Sequence, residues 1–259
     1  MAPRAQRSLR HEYELFVEEE IENYKESIPR SALLSIGDEA VARLASGAQI
    51  LLTELLLCDE VNAIIFKRLR LPSYDTWRRK RLKLMKELRR PEHWGLAPDH
   101  VAVRAVAQAP EGRVLVAGGA EDGSALYLAA NGRDVTTVHS EPTALERVMQ
   151  AATEAGFAER VHPVAADLSA WQPDAPLTAV ICTPAALAGL TIRERQRVIA
   201  VLQGATADGG VHLVQTIAAS GRRKMPSLDE LRDRYRGWAI TVDDTDGQVN
   251  TLVARKEIA

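Results

Sequence analysis

Residues 98–259 predict an α/β domain, a largely parallel sheet wound with helices and closed by an antiparallel hairpin. Residues 1–97 predict an all-helical domain ahead of it. Three observations carry this reading. In the stretch Arg113–Gly123, the run Val114-Leu115-Val116-Ala117 meets the turn Gly118-Gly119-Ala120-Glu121-Asp122-Gly123, and the apolar segment Ser124–Ala130 follows. That is the strand, tight loop and helix that open a nucleotide-binding sheet. From residue 98 onward strand and helix patterns alternate, which implies parallel strands with right-handed crossovers. Before residue 98 the apolar residues recur every three or four positions, the helical period.

In chain order, Tyr13, Val17, Ile21, Tyr24 and Ile28 form one apolar stripe on a first helix otherwise rich in glutamate, which Pro29 ends or bends. A second, short helix is expected from Asp38, a plausible N-cap, to about Ser46, with a break at Gly47. A long helix over Gln49–Arg68 carries Leu51, Leu52, Leu55, Leu56, Val61, Ile64 and Ile65 around much of its circumference. It is expected at the centre of a bundle. Pro72 breaks it, Ser73 caps the next helix, which runs to about Arg90, and Pro91–Asp99 forms a linker containing Trp94.

Between positions 67 and 90, eleven lysines and arginines are offset only by Asp75 and Glu87, with Tyr74, Trp77 and Trp94 interleaved or close by. Lysine and arginine neutralise phosphates and aromatic rings stack on bases, so this stretch could bind nucleic acid or an acidic partner. Its plainer reading is a solvated face answering the glutamates of the first helix, with Trp77, Leu84 and Leu88 as a buried stripe.

Asp99–Ala107 reads as a lead-in helix. Strands are then expected at 113–117, 134–138, 162–166, 177–182 and 210–216, and helices at 124–131, 142–156 and 191–206. A helix over Pro226–Arg236 follows, then strands 238–243 and 249–256 about a turn at Asp244–Gly247.

The 259 residues include 46% hydrophobic and 26% charged residues with a formal net charge of -2. This suits a soluble chain with a sizeable core and gives no global pull toward nucleic acid or membrane. Two cysteines, Cys58 and Cys182, make no disulfide framework, and a reducing cytoplasm is the simplest setting. The apolar run Ile50–Cys58 is too short and too charged to span a bilayer, and the basic start Met1–Arg10 leads into acidic residues rather than an apolar leader. The six histidines show no metal-ligand spacing.

With the order of elements in place, residues 98–259 resemble the class I S-adenosylmethionine-dependent methyltransferases, in the small-molecule branch similar to the tellurite and thiopurine enzymes. Val114–Ala129 lies without gaps on the family's first motif, and Asp134–Leu145 resembles its second-strand motif. Val164–Leu168 resembles the third, and Ala207–Leu213 the glycine turn into the fifth strand. The resemblance implies a Rossmann-like seven-stranded sheet and a cofactor site at Gly118, Gly119, Ala120, Asp122, His139, Ser140, Glu141, Asp167, Leu168 and Cys182.

The departures lie in that site. Val116 replaces the first-strand acid, and Ala120 and Asp122 stand at glycine positions. His139 replaces the acid that takes the ribose hydroxyls, and a neutral imidazole offers one acceptor where a carboxylate offers two oxygens. Asp122 sets a negative charge where the cofactor's carboxylate seeks the positive end of a helix. Asp167, retained near the adenine amino group, reads equally as a loop cap.

On the substrate side Ile181-Cys182-Thr183-Pro184 ends the fourth strand. Cys182 there is more often packing than chemistry. No catalytic residue is assigned, because methyl transfer asks mainly for alignment and exclusion of water. Two functions follow. One is methyl transfer from S-adenosylmethionine to a small molecule. The other is a non-catalytic methyltransferase-like scaffold acting through its helical domain on a second copy or a protein partner.

Overall fold

The computed structural model describes residues 8–45, 54–119, 123–217, 225–243 and 249–257. The chain divides into two compact units, Met1–Leu84 and Met85–Ala259.

The first unit is helical. α1 (Leu9–Ser27) starts where the Ser8 hydroxyl accepts from the His11 N–H, satisfying one of the open donors of its first turn. α2 spans Arg30–Ala45, starting eight residues before Asp38, where the sequence placed its start. Pro29 ends one helix and also stands just ahead of the next, where its missing N–H costs nothing. α3 covers Glu54–Leu69; the break expected at Gly47 and the start at Gln49 lie outside the described residues.

Ile21, Ile36, Ala40, Ile64 and Ile65 form the core of this unit. α3 is central only in its second half, since Leu55 and Leu56 are exposed. Glu39–Arg68 and Arg43–Glu60 ion pairs join α2 to α3 along the rim. α4 (Tyr74–Leu88) follows Pro72. Its Trp77 meets Tyr13 and Phe16 of α1 at ring separations of 5.5 and 6.2 Å. Arg81 pairs with Glu12. Of the buried stripe expected on α4, Leu88 is buried, Trp77 is half-buried and Leu84 is exposed.

The second unit is a seven-stranded sheet in the order β3-β2-β1-β4-β5-β7-β6. Its strands are β1 (Arg113–Ala117), β2 (Asp134–His139), β3 (Val161–Ala165), β4 (Leu177–Cys182), β5 (Thr206–Ile217), β6 (Ala239–Asp243) and β7 (Val249–Arg255). The first five are parallel, and β7 inserts antiparallel between β5 and β6. The turn expected at Asp244–Gly247 lies outside the described residues. Side chains alternate across β1: Val114 and Val116 enter one core layer, Leu115 and Ala117 the other, the two-residue period of a strand covered on both faces. β3 is an edge strand and tolerates Pro163 for that reason.

Helices α5 (Val101–Ala107), α6 (Ser124–Ala130), α7 (Pro142–Ala155), α8 (Pro184–Leu187), α9 (Ile192–Ala205) and α10 (Leu228–Arg234) complete the unit. β5 begins four residues earlier than expected. Leu177 pairs with Thr206 and Ala179 with Val211, so Ala207-Asp208-Gly209-Gly210 bulges within the strand.

Two buried polar clusters brace the unit. The Thr206 hydroxyl donates to the Leu202 carbonyl at 2.6 Å and therefore accepts from His212 Nε2 at 2.7 Å. The Tyr235 hydroxyl then donates to His212 Nδ1 at 2.7 Å. Burial first, and Lys256 second, push the His212 imidazole down to about 3. It is a neutral core histidine. Arg195, 2% exposed, reaches both Glu230 oxygens at 3.1 Å and the Leu190 carbonyl at 2.8 Å, tying α9 to α10.

Candidate functional site

A cleft opens at the carboxyl edge of the sheet, where β1 neighbours both β2 and β4 and the winding direction reverses. In open α/β sheets this switch point is where ligands bind, because the strand-to-helix loops diverge there. Three backbone bonds extend the ladders into those loops: Gly118 N–H to Val138 O, Ala166 N–H to His139 O and Thr183 N–H to Ala117 O. They fix the first residue of each loop as firmly as the strands.

The cavity measures about 90 Å³ and is lined by Gly118, Val138, His139, Asp167, Leu168 and Ala186 among others. Five of the ten expected residues meet here: Gly118, His139, Ser140, Asp167 and Leu168. Gly119 is buried and does not line the cleft, and Glu141 is exposed with its N–H turned to the His139 ring. Ala120 and Asp122 lie outside the described residues. Cys182 sits at the end of β4 with its thiol in the core layer of Leu115, Leu177 and Val180. Burial raises that thiol to about 12, so it stays protonated and unreactive.

His139 Nδ1 accepts from the Glu141 N–H at 3.0 Å. In the neutral ring the proton therefore sits on Nε2, and the imidazole offers a donor where a carboxylate would offer acceptors. Asp167 Oδ1 accepts from both the Ser169 N–H and the Ser169 hydroxyl at 2.8 Å. These bonds, the backbone one first, hold its carboxyl below the usual range. Asp167 is thus an ionised acceptor fixed by a tight turn with Ser169, the loop-cap bonding the sequence offered as one of its two readings.

Gly118 has φ +71°, and a Cβ there would stand 2.5 Å from the Ala186 N and 2.8 Å from Thr183 Oγ1. α8 therefore presses onto the glycine loop. This short helix, which supplies Ala185 and Ala186 to the cleft, was not expected from the sequence. The signal for it is Thr183-Pro184, an N-cap followed by proline at the first helical position. Gly123, at φ +69°, caps α6, and a Cβ there would collide with the Trp94 carbonyl of the turn Pro91–Trp94.

The Thr183 hydroxyl donates to the Ala117 carbonyl, so its proton is committed to the scaffold. Among the described residues, no group of three histidine, cysteine or acidic side chains could hold a metal, and no helix is long and apolar enough to cross a membrane.

No protein-family model and no curated protein matches the chain. Solved structures do. TehB from Haemophilus influenzae superposes with a TM-score of 0.54 at 17% identity, over 64% of this chain and 65% of that one, so the chain spans just under two thirds of TehB. The CcbJ methyltransferase from Streptomyces caelestis superposes with a TM-score of 0.53 at 15% identity, over 61% of this chain and 88% of that one. The glycopeptide N-methyltransferase MtfA, in complex with S-adenosylmethionine, gives 0.50 at 14% identity, over 61% and 86%.

Proposed function

From the class I S-adenosylmethionine-dependent methyltransferase fold of the sheet unit, we propose that this protein binds S-adenosylmethionine and transfers its methyl group to a small-molecule acceptor. The observation that supports this most is the convergence of Gly118, His139, Asp167 and Leu168 on one cleft at the switch point of the sheet. The donor set suits the nucleoside end of the cofactor. Asp167 accepts from the adenine amino group, His139 donates from Nε2 to a ribose oxygen, and Val138 and Leu168 supply apolar walls. The cofactor, when bound, supplies an electrophilic methyl group. The chain's task is to hold the acceptor in line and keep water out, which needs no acid or base at the cleft when the acceptor is already nucleophilic.

A second reading, a methyltransferase-like scaffold without methyl transfer, is favoured by one observation. A cleft of about 90 Å³ is small against the ~300–1,000 Å³ usual for small-molecule sites, and α8 closes it at Gly118.

Calorimetric titration of the full chain with S-adenosylhomocysteine separates the two. Methyl transfer expects saturable heat, and Asp167→Ala should weaken binding about 10- to 100-fold, the worth of one charge-assisted hydrogen bond of roughly 1.5–3 kcal/mol. No heat and no thermal shift at millimolar ligand refutes cofactor binding and leaves the scaffold reading.

A further inference from the structure

The helical unit carries two opposed charged faces. α1 has seven glutamates against Arg10 and Lys25. α4 has six lysines and arginines against Asp75 and Glu87. The two helices pack through Tyr13, Phe16, Tyr74 and Trp77, and among the described ion pairs the Glu12–Arg81 pair joins their charges. Glu18, Glu19 and Glu26 are exposed with no described cation in ion-pair reach, and Arg78, Lys80 and Lys83 are exposed with no described carboxylate. Intramolecular pairing therefore leaves most of this charge uncompensated.

Each charged face also has an apolar residue among its charges. Leu15, 37% exposed, lies one helical turn before Glu18 and Glu19 and two before Glu22. Leu82, 43% exposed, lies one turn after Arg78 and Arg79. Positions three, four and seven apart share one helix face, so each leucine is ringed by one sign of charge. Of nine exposed large hydrophobic residues among the described ones, seven fall between Leu15 and Leu84. The apolar surface is thus concentrated on the unit that carries the opposed charges.

We propose that the protein forms a two-fold symmetric homodimer through this unit, with the acidic face of α1 seated on the basic face of α4 of the partner, and the reverse. A two-fold interface makes every contact twice with roles exchanged, so one geometry compensates both faces of both copies. Leu15 then meets Leu82 and Leu84 of the partner subunit inside a polar rim, the usual layout of a specific interface. A polyanion would satisfy α4 alone and be repelled by α1. This proposal stands apart from the cofactor cleft and does not depend on it.

The test is the mass of the full chain in solution, by sedimentation or light scattering, at about 50 and about 500 mM salt, where screening differs severalfold. Dimers are expected at low salt, with dissociation at least about tenfold easier at high salt. Two charge-reversed variants, E18K/E19K/E22K and R78E/R79E/K83E, are expected to be monomeric alone and to form a one-to-one heterodimer when mixed. The mixture carries both complementary contacts, and its assembly proves that both variants fold. A wild-type monomer at all concentrations, variants that dimerise like wild type, or folded variants that stay apart when mixed would each overturn the proposal. So would a monomer that binds duplex DNA through Arg78 and Arg79, which would assign α4 to nucleic acid.

Discussion

Lowering the pH titrates His212 in the unfolded chain long before the folded one. Its imidazole is fully buried, donates from Nε2 to Thr206 and accepts at Nδ1 from Tyr235. A second proton has no acceptor in that arrangement, and the folded value falls from an ordinary 6.5 to about 3. Between those values the unfolded chain holds a proton that the native state refuses. The stability that His212 contributes as a neutral group is therefore complete above 6.5 and drains away as the pH falls toward 3. The slope is about 1.4 kcal/mol per pH unit, so a drop from 6.5 to 5 costs roughly 2 kcal/mol.

His212→Gln keeps one donor and one acceptor but cannot titrate. Urea unfolding at several pH values between 7 and 5, followed by tryptophan fluorescence, compares the two proteins. Trp238 reports directly, its ring 4.8 Å from that of His212. The variant is expected to be less stable at pH 7, and the gap should close by about 2 kcal/mol at pH 5. The other five histidines and all carboxylates occur in both proteins and cancel. Parallel loss of stability in the two would refute the reasoning.

Gly118→Ala is expected to destabilise the sheet unit by at least about 1–3 kcal/mol, the cost of a left-handed backbone alone. The contacts with Ala186 and Thr183 add to that, and the readout is the denaturation midpoint without ligand. Glu230→Ala leaves the Arg195 charge buried without its carboxylate and should cost about 3–5 kcal/mol in denaturant unfolding. Glu230→Gln, which keeps hydrogen bonding, should cost less.

The sheet was legible because its signals are local. Each buried parallel strand is a short apolar run such as Leu177–Cys182, each helix a periodic segment with a cap such as Thr191 or Ser227, and their order restricts the topology. Errors fell where a local signal had two readings. Pro29 reads as a stop, yet it also serves as the start of α2. The glycines before Val211 read as a turn outside the strand, while the ladder runs on through a bulge to Thr206. Leu55 and Leu84 have core chemistry but are exposed among the described residues.

The candidate site was half legible. Gly118, His139, Ser140, Asp167 and Leu168 lie at or just after strand ends, so the order of elements brings them together. Cys182 also ends a strand, but whether its side chain faces cleft or core depends on the pleat. α8 is four residues long, too short for any period to register.

The sequence by itself determined the alternation of strands and helices, the parallel sheet and the antiparallel hairpin that closes it, because hydrophobic period and connection handedness are properties of short segments. Only the tertiary structure decided how the polar and titratable side chains are bonded and buried. It turned His139 into a donor, held Asp167 ionised through Ser169, made His212 a neutral brace and Cys182 an inert one, and set α8 against Gly118. Those outcomes depend on which groups, distant in sequence, lie within a few ångströms of one another and how far water is kept from them.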